Sequence, residues 1–175
     1  VVDNEFEPPA EPRERDVPTV LVTMGGSDPD NMTQTAIRGL RKLDIEHETI
    51  IALGDGYQHG SALRDELSTS QLRYEIHRDT DEMSALMARS DLAISAYGVT
   101  TFELAAMGVP SILVCLTKDH ERAAQFLQEE GMVECLGVND SVAPEQITRN
   151  TRILLTNPDV RCAMREACQQ RIDNN

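Results

Sequence analysis

Asp91 to Leu116, DLAISAYGVTTFELAAMGVPSILVCL, limits the possible folds more than any other stretch of the chain. Leu92–Ala96 and Pro110–Leu116 are apolar runs of strand length, and between them lies a short helix around Phe102 to Met107. Gly108 ends that helix and Pro110 prevents its continuation. A strand that runs through a small-residue turn into a helix leaves free backbone N–H groups at the helix start, a natural seat for a phosphate. Glu103 sits one turn inside the helix. A carboxylate there favours the helix dipole, and beside an anion site it could equally accept hydrogen bonds from sugar hydroxyls. The residues alone leave both readings open.

The same alternation extends along the chain. Thr19 to Met24 is a β-branched run, and the helix that follows, Met32 to Leu43, repeats Ile37, Leu40 and Leu43 at helical spacing. Glu46 to Leu53 reads as a second strand closed by Gly54-Asp55-Gly56, and Ser61 to Leu67 as a short helix. Leu72 to His77 alternates Leu72, Tyr74 and Ile76 with polar residues, as a third strand would. Asp79, three residues before Glu82, predicts a capping box for a helix through Met83, Leu86 and Met87. After the central stretch come a helix from Glu121 to Glu130 presenting Ala123, Ala124, Phe126 and Leu127, a sixth strand at Met132 to Leu136, and helices beginning at Pro144 and Pro158. Strict alternation of this kind predicts an α/β fold with a doubly wound, mainly parallel six-stranded sheet and right-handed crossovers. Val1 to Pro18 is acidic, Pro-rich and without apolar periodicity, so it reads as an arm or interdomain linker ahead of a domain spanning 19–175.

Composition removes several functions. Sixteen Lys and Arg against thirty Asp and Glu give a net charge of −14, a surface that repels nucleic acid. The longest apolar runs fall well short of the roughly 20 residues of a membrane span. Cys115, Cys135, Cys162 and Cys168 have neither Cys-x-x-Cys nor disulfide-dense spacing, and the first two fall in expected core strands as small hydrophobes. A reducing cytoplasm is the compartment that follows. No His, Cys and carboxylate cluster has metal-ligand spacing, and no cofactor is called for.

Ligands of an open parallel sheet bind outside the carboxyl ends of the strands. Gly25-Gly26-Ser27-Asp28 follows the first strand there, lacking both G-x-G-x-x-G spacing and a Gly-Lys-Ser/Thr, so it is neither a dinucleotide fingerprint nor a Walker A loop. Its glycines would still admit a ligand close to the backbone, and Ser27 could donate to it; a plain tight turn would use the same residues. Tyr97-Gly98-Val99-Thr100-Thr101 follows the fourth strand, with Thr100 or Thr101 able to cap the helix or touch a ligand. His77-Arg78-Asp79 and Thr117-Lys118-Asp119-His120 end two further strands on this rim, and a cation at either could offset a diphosphate. His120 is a possible sugar contact or acid/base.

Taken in order, TVLVTMGGSDPDN, the strand-end His-Arg-Asp, MSALMARSDLAISAYGVTTFELAAMGVPSILV and AAQFLQEEG resemble the C-terminal, Rossmann-like domain of GT-B nucleotide-sugar enzymes over about Val20 to Gly137. Among these the chain is most similar to the UDP-sugar hydrolase of pseudaminic acid biosynthesis and to the spore coat polysaccharide biosynthesis glycosyltransferases. It resembles more distantly the GlcNAc transferase that makes the lipid intermediate of peptidoglycan. The resemblance implies a UDP or UDP-sugar ligand, with Gly25, Gly26, Ser27 and Asp28 facing the diphosphate and the interdomain cleft. It further implies that Gly98, Val99, Thr100 and Thr101 form the phosphate turn, that Glu103 holds the ribose hydroxyls, that the uracil is read at the strand end of His77 and Arg78, largely through backbone groups, and that the loop Lys118, Asp119 and His120 meets the transferred sugar. Relatives commonly have a second glycine where this chain has Tyr97 or Val99, and an Asn-Gln pair near Asp119-His120.

The resemblance also implies a partner, the N-terminal domain of the same enzyme, which carries the acid/base of the hydrolases. The expectation is a nucleotide-sugar-binding half of a glycosyltransferase or nucleotide-sugar hydrolase of surface polysaccharide biosynthesis, inactive alone. A nucleotide-sugar epimerase and a noncatalytic α/β binding module are the alternatives.

Overall fold

The computed structural model describes residue 6 and residues 16–173. Six parallel strands, β1 Thr19–Thr23, β2 Glu48–Leu53, β3 Arg73–Arg78, β4 Leu92–Ala96, β5 Ser111–Cys115 and β6 Val133–Val138, form one sheet in the order β3-β2-β1-β4-β5-β6. The order reverses between β1 and β4, so the loops after these two strands diverge and leave a crevice, as the doubly wound reading requires. Helices α1 Met32–Leu40, α2 Gly60–Ser68, α3 Met83–Ala88, α4 Val99–Ala106, α5 Lys118–Glu129, α6 Pro144–Thr156 and α7 Pro158–Asp173 complete the two outer layers.

The central strands are near-continuous apolar runs because both faces of the sheet are covered. On one face, Val20, Val22, Ile51, Ile94, Ile112 and Val114 pack with Ala36, Ile37 and Leu40 of α1 and Ile147 and Leu154 of α6. On the other, Leu21, Ile50 and Ala93 meet Leu86 and Met87 of α3 and Leu104 of α4, with Phe6 packed against this cluster. Leu113, Cys115 and Val133 continue that face beneath Ala124 and Leu127 of α5 and Cys168 of α7. Apart from Phe6 and residues 16–18, the arm expected over Val1 to Pro18 lies outside the described residues.

Several local expectations change. Tyr74 and Ile76 are 46% and 45% exposed, because β3 is an edge strand with a neighbour on one side only. Phe126 lies on the outer side of α5, with the Arg171 guanidinium 5.8 Å over its ring. The capping box at Asp79 does not form. Asp79 takes a left-handed conformation (φ 49°), and the Glu82 N–H bonds the Thr80 hydroxyl at 3.0 Å instead. Helices α4 and α5 both begin three residues earlier than the sequence predicts. The early start of α5 follows from Thr117, whose hydroxyl accepts the His120 N–H at 3.1 Å.

The C-terminal end of α4 is closed by Gly108 (φ 64°), with the Val109 N–H returning to the Leu104 carbonyl. Arg165 of α7 donates to the Gly108 carbonyl at 2.9 Å, so the last helix holds the end of the one beside the crevice.

Asp28 governs the start of α1. Buried and left-handed (φ 42°), it accepts the Met32 and Thr33 N–H groups on its two carboxylate oxygens, both at 2.8 Å. Asp28→Ala would leave both donors without a partner and is expected to cost about 2 kcal/mol, read as a lower urea midpoint with unchanged m. An added Cβ at Gly39 would come within 2.8 Å of the Ile147 side chain and the Pro144 carbonyl, where α1 meets α6. Gly39→Ala is expected to cost about 1–3 kcal/mol by overpacking in the same experiment.

Candidate functional site

The loop after β1 is positioned by backbone against backbone. A Cβ at Gly54, in the loop after β2, would fall 2.3 Å from the Gly26 carbonyl oxygen, so only glycine permits this approach. Gly25 turns with φ 78°, and Ser27 is exposed beside it. Added Cβ atoms at Gly25 and Gly26 would meet no protein atom within 4 Å, so both residues face open space.

The supporting contacts behind this loop are polar. The Tyr57 hydroxyl donates to Asn31 Oδ1 at 2.8 Å, tying the loop after β2 to the start of α1; burial pushes the Tyr57 phenol up to about 12. Arg78 extends over the Tyr57 ring at 5.9 Å and donates to the Tyr57 carbonyl at 3.3 Å. Its cation is thereby engaged with the scaffold of the glycine loop.

Across the crevice, the fourth strand delivers Gly98 as the residue preceding α4. The Gly98 N–H bonds Thr101 Oγ1 and the Thr101 N–H bonds the Gly98 carbonyl, each at 3.1 Å. Thr101, buried, is therefore the threonine that closes the helix start. Among the described residues the Val99 and Thr100 N–H groups meet no acceptor, and no acidic residue stands in the first turn. The contrast with the neighbouring helices is chemical. The first N–H groups of α1 are already satisfied by Asp28, and the first turn of α5 carries Asp119 and Glu121. Of the three, α4 is the one whose N-terminus is electrostatically open to an anion.

These parts converge on a cleft of about 200 Å³. Gly25, Gly26 and Gly54 line one side, Thr100 the other, Thr23, Ala52 and Leu53 the base, and Asp79, Thr80 and Met83 a third wall. No Lys or Arg is among them, so an anion here would be held by backbone N–H groups and hydroxyls. The volume is below the roughly 300–1,000 Å³ of a complete small-molecule pocket, which suits one part of a larger ligand. Glu103 lies three residues beyond Thr100 on the same face of α4, half-buried.

The sequence-derived candidates thus separate. Gly25, Gly26 and Thr100 share the cleft, with Ser27, Gly98, Val99 and Thr101 adjoining it and Glu103 a turn away. The Asp28 carboxylate is committed to α1, which makes it a cap that orders the glycine loop. His77 and Arg78 fall two and one residues short of the cleft lining; His77 lies 3.4 Å from Glu75, and Asp79 and Thr80 stand at the wall. Lys118, Asp119 and His120 form a helical turn where a loop was expected. Lys118 bonds Glu121 at 2.8 Å and is held above the usual lysine range by it, Asp119 lies 3.4 Å from Arg122, and the His120 ring leans on Tyr97 at 5.3 Å. Thr23, Ala52, Leu53, Gly54, Thr80 and Met83 line the cleft without being marked by the sequence, and Asp79, placed on the rim, had no role there. Their signal is the end of each expected strand and the turn after it, since every strand of a parallel sheet ends at the same rim.

Residues 19–174 match the Glycosyltransferase family 28 C-terminal domain. The spore coat polysaccharide biosynthesis protein SpsG of Bacillus subtilis is 22% identical over 161 residues, 91% of this chain and 47% of that protein. A UDP-N-acetylglucosamine–N-acetylmuramyl-(pentapeptide) pyrophosphoryl-undecaprenol N-acetylglucosamine transferase of Acidithiobacillus ferrooxidans is 27% identical over 169 residues, 90% of this chain and 45% of that enzyme. The chain therefore spans about half the length of these curated relatives. The crystal structure of Acinetobacter baumannii MurG superposes with a TM-score of 0.73 at 21% identity, over 89% of this chain and 46% of the other. The chain belongs to the glycosyltransferase family 28 C-terminal domains.

Proposed function

We propose that this chain is the nucleotide-sugar-binding half of a two-domain glycosyltransferase, with a UDP-linked donor. The observation that carries the reading is the start of α4, where two backbone N–H groups without acceptors among the described residues stand beside a cleft lined by Gly25, Gly26 and Thr100. Such donors stabilise a diphosphate, and most strongly the charge that develops on it as the sugar–phosphate bond breaks. Gly25 and Gly26 let the backbone come close to the diphosphate, and Thr100 adds a hydroxyl. Glu103, one turn further, is the acceptor for ribose hydroxyls. The wall at Asp79, Thr80 and Met83, continuous with the backbone of His77 and Arg78, takes the neighbouring part of the nucleotide.

UDP is preferred over other nucleotides because one relative is by its name a transferase that uses UDP-N-acetylglucosamine. SpsG supports a role in building a surface polysaccharide. A family of glycosyltransferase domains favours transfer over the hydrolysis and epimerisation that the motifs also allowed. In this reading Val1 to Pro18 leads from a partner domain that positions the acceptor and supplies the general base, and the enzyme works in the cytoplasm. Among the described residues no helix is long and apolar enough to cross a membrane, and no group of His, Cys, Asp and Glu side chains could hold a metal ion.

Calorimetric titration tests the proposal. UDP is expected to bind the chain with a dissociation constant in the roughly millimolar range or tighter, about 4 kcal/mol; no binding at that concentration would overturn the reading. An added Cβ at Gly98 meets no protein atom within 4 Å. Gly98→Ala is therefore expected to leave stability within about 0.5 kcal/mol while lowering UDP affinity tenfold or more, about 1.4 kcal/mol. Glu103→Ala is expected to weaken UDP by a similar factor, whereas unchanged affinity in both variants would favour a noncatalytic module.

A further inference from the structure

The nucleotide reading makes no use of the cysteines, yet two of them are paired in space. β5 and β6 place Leu113 beside Cys135, so Cys115, two residues further along β5, emerges on the same face of the sheet as Cys135. The register then slips, with Cys115 aligned to Val138, and Gly137 takes φ 98° within the irregularity. The two sulfurs are 3.8 Å apart, and both cysteines are free. A disulfide joins sulfurs at about 2.05 Å, so the sulfurs must close by under 2 Å, and since diagonal neighbours on adjacent strands stand roughly 7–8 Å apart the two strands must also draw together.

The two thiols differ in the way a reacting and a resolving cysteine differ. Cys115 is fully buried, whereas Cys135 is partly exposed. The hydrogen bond from Cys115, helped by the Gly137 backbone, lowers the Cys135 thiol to about 7, while the same contact and burial push Cys115 up. The other two cysteines lack such a partner. Cys162 is exposed on α7, and Cys168 donates to the Met132 carbonyl at 3.6 Å.

We propose that Cys115 and Cys135 are a peroxide-responsive thiol pair that closes an intrachain disulfide between β5 and β6. The Cys135 thiolate attacks one peroxide oxygen; the O–O bond breaks, the departing oxygen leaves as water after taking a proton, and Cys135 becomes a sulfenic acid. The Cys115 sulfur then attacks the Cys135 sulfur. The S–S bond forms, and the hydroxide lost from Cys135 leaves as water with the Cys115 proton. Two thiols are oxidised by two electrons, one hydrogen peroxide is reduced, and two waters result.

The pair lies under α5. The Cys135 N–H is held by Gln128 of that helix at 2.6 Å, and Glu121, which bonds Lys118, has an oxygen 3.0 Å from where a Cβ on Gly137 would stand. Closure therefore acts on the helix whose first turn carries Lys118, Asp119 and His120.

Hydrogen peroxide followed by alkylation in denaturant and peptide mass mapping tests the proposal on the intact chain. The expected result is a Cys115–Cys135 bridged peptide, loss of those two alkylatable thiols, and their return with dithiothreitol. In Cys115→Ser, Cys135 is expected to accumulate as a sulfenic acid trapped by dimedone. Recovery of both residues as alkylated thiols after peroxide would overturn the proposal, as would a bridge to Cys162 or Cys168, or oxidation of Cys135 to sulfinic acid with no bridge. The wild-type map decides the question even if the serine variant fails to fold.

Discussion

Burial of the central strands on both faces is the constraint on which the rest of the molecule depends. All five residues of β1 and all five of β5 are buried, so neither strand can offer a face to water. Helices must cover both sides, and a strand followed by a covering helix returns parallel to itself. Every strand then ends at the same rim, and every helix that follows begins there. Loops after β1, β2, β3 and β4 meet at that rim without any of them being adjacent in sequence.

What distinguishes this rim is how its helix starts are satisfied. Asp28 supplies an internal anion to α1, and α5 carries acids in its first turn, while α4 follows Gly98 and opens with two N–H groups that meet no acceptor among the described residues. In a chain of net charge −14, a diphosphate cannot be drawn by the general field. Local backbone dipoles remain, and they act over the distance of a hydrogen bond. The glycines serve that short range twice. Gly54 lets the Gly26 backbone settle against the next loop, and Gly25 and Gly26 add no side chain of their own to the cleft.

The cysteine pair belongs to the same architecture. Pairing of Leu113 with Cys135 makes Cys115 and Cys135 diagonal neighbours on one face of the sheet, and the ladder becomes irregular just beyond them, where Gly137 takes a left-handed conformation.

By itself, the sequence determined the number, kind and order of the elements from β1 to α7. Apolar runs, helical spacing, the stop at Gly108 and the helix starts at Pro144 and Pro158 are local signals, and local signals survive without a structure. It also marked Gly25, Gly26, Gly98 and Thr100, because a glycine after a strand and a hydroxyl at a helix start are local as well. Tertiary structure decided the remainder. Tyr74 and Ile76 alternate like core residues and are half exposed, since only the strand order shows that β3 is an edge. The roles of Asp28 and Arg78 turn on partners that sequence spacing does not disclose, the first N–H groups of α1 and the ring of Tyr57. Lys118 to His120 form a helical turn because the Thr117 hydroxyl caps it, a role that a strand-end threonine does not disclose by its position alone. The wall at Asp79, Thr80 and Met83 exists because three loops converge, and convergence is a property of how chain segments pack, which no single segment encodes.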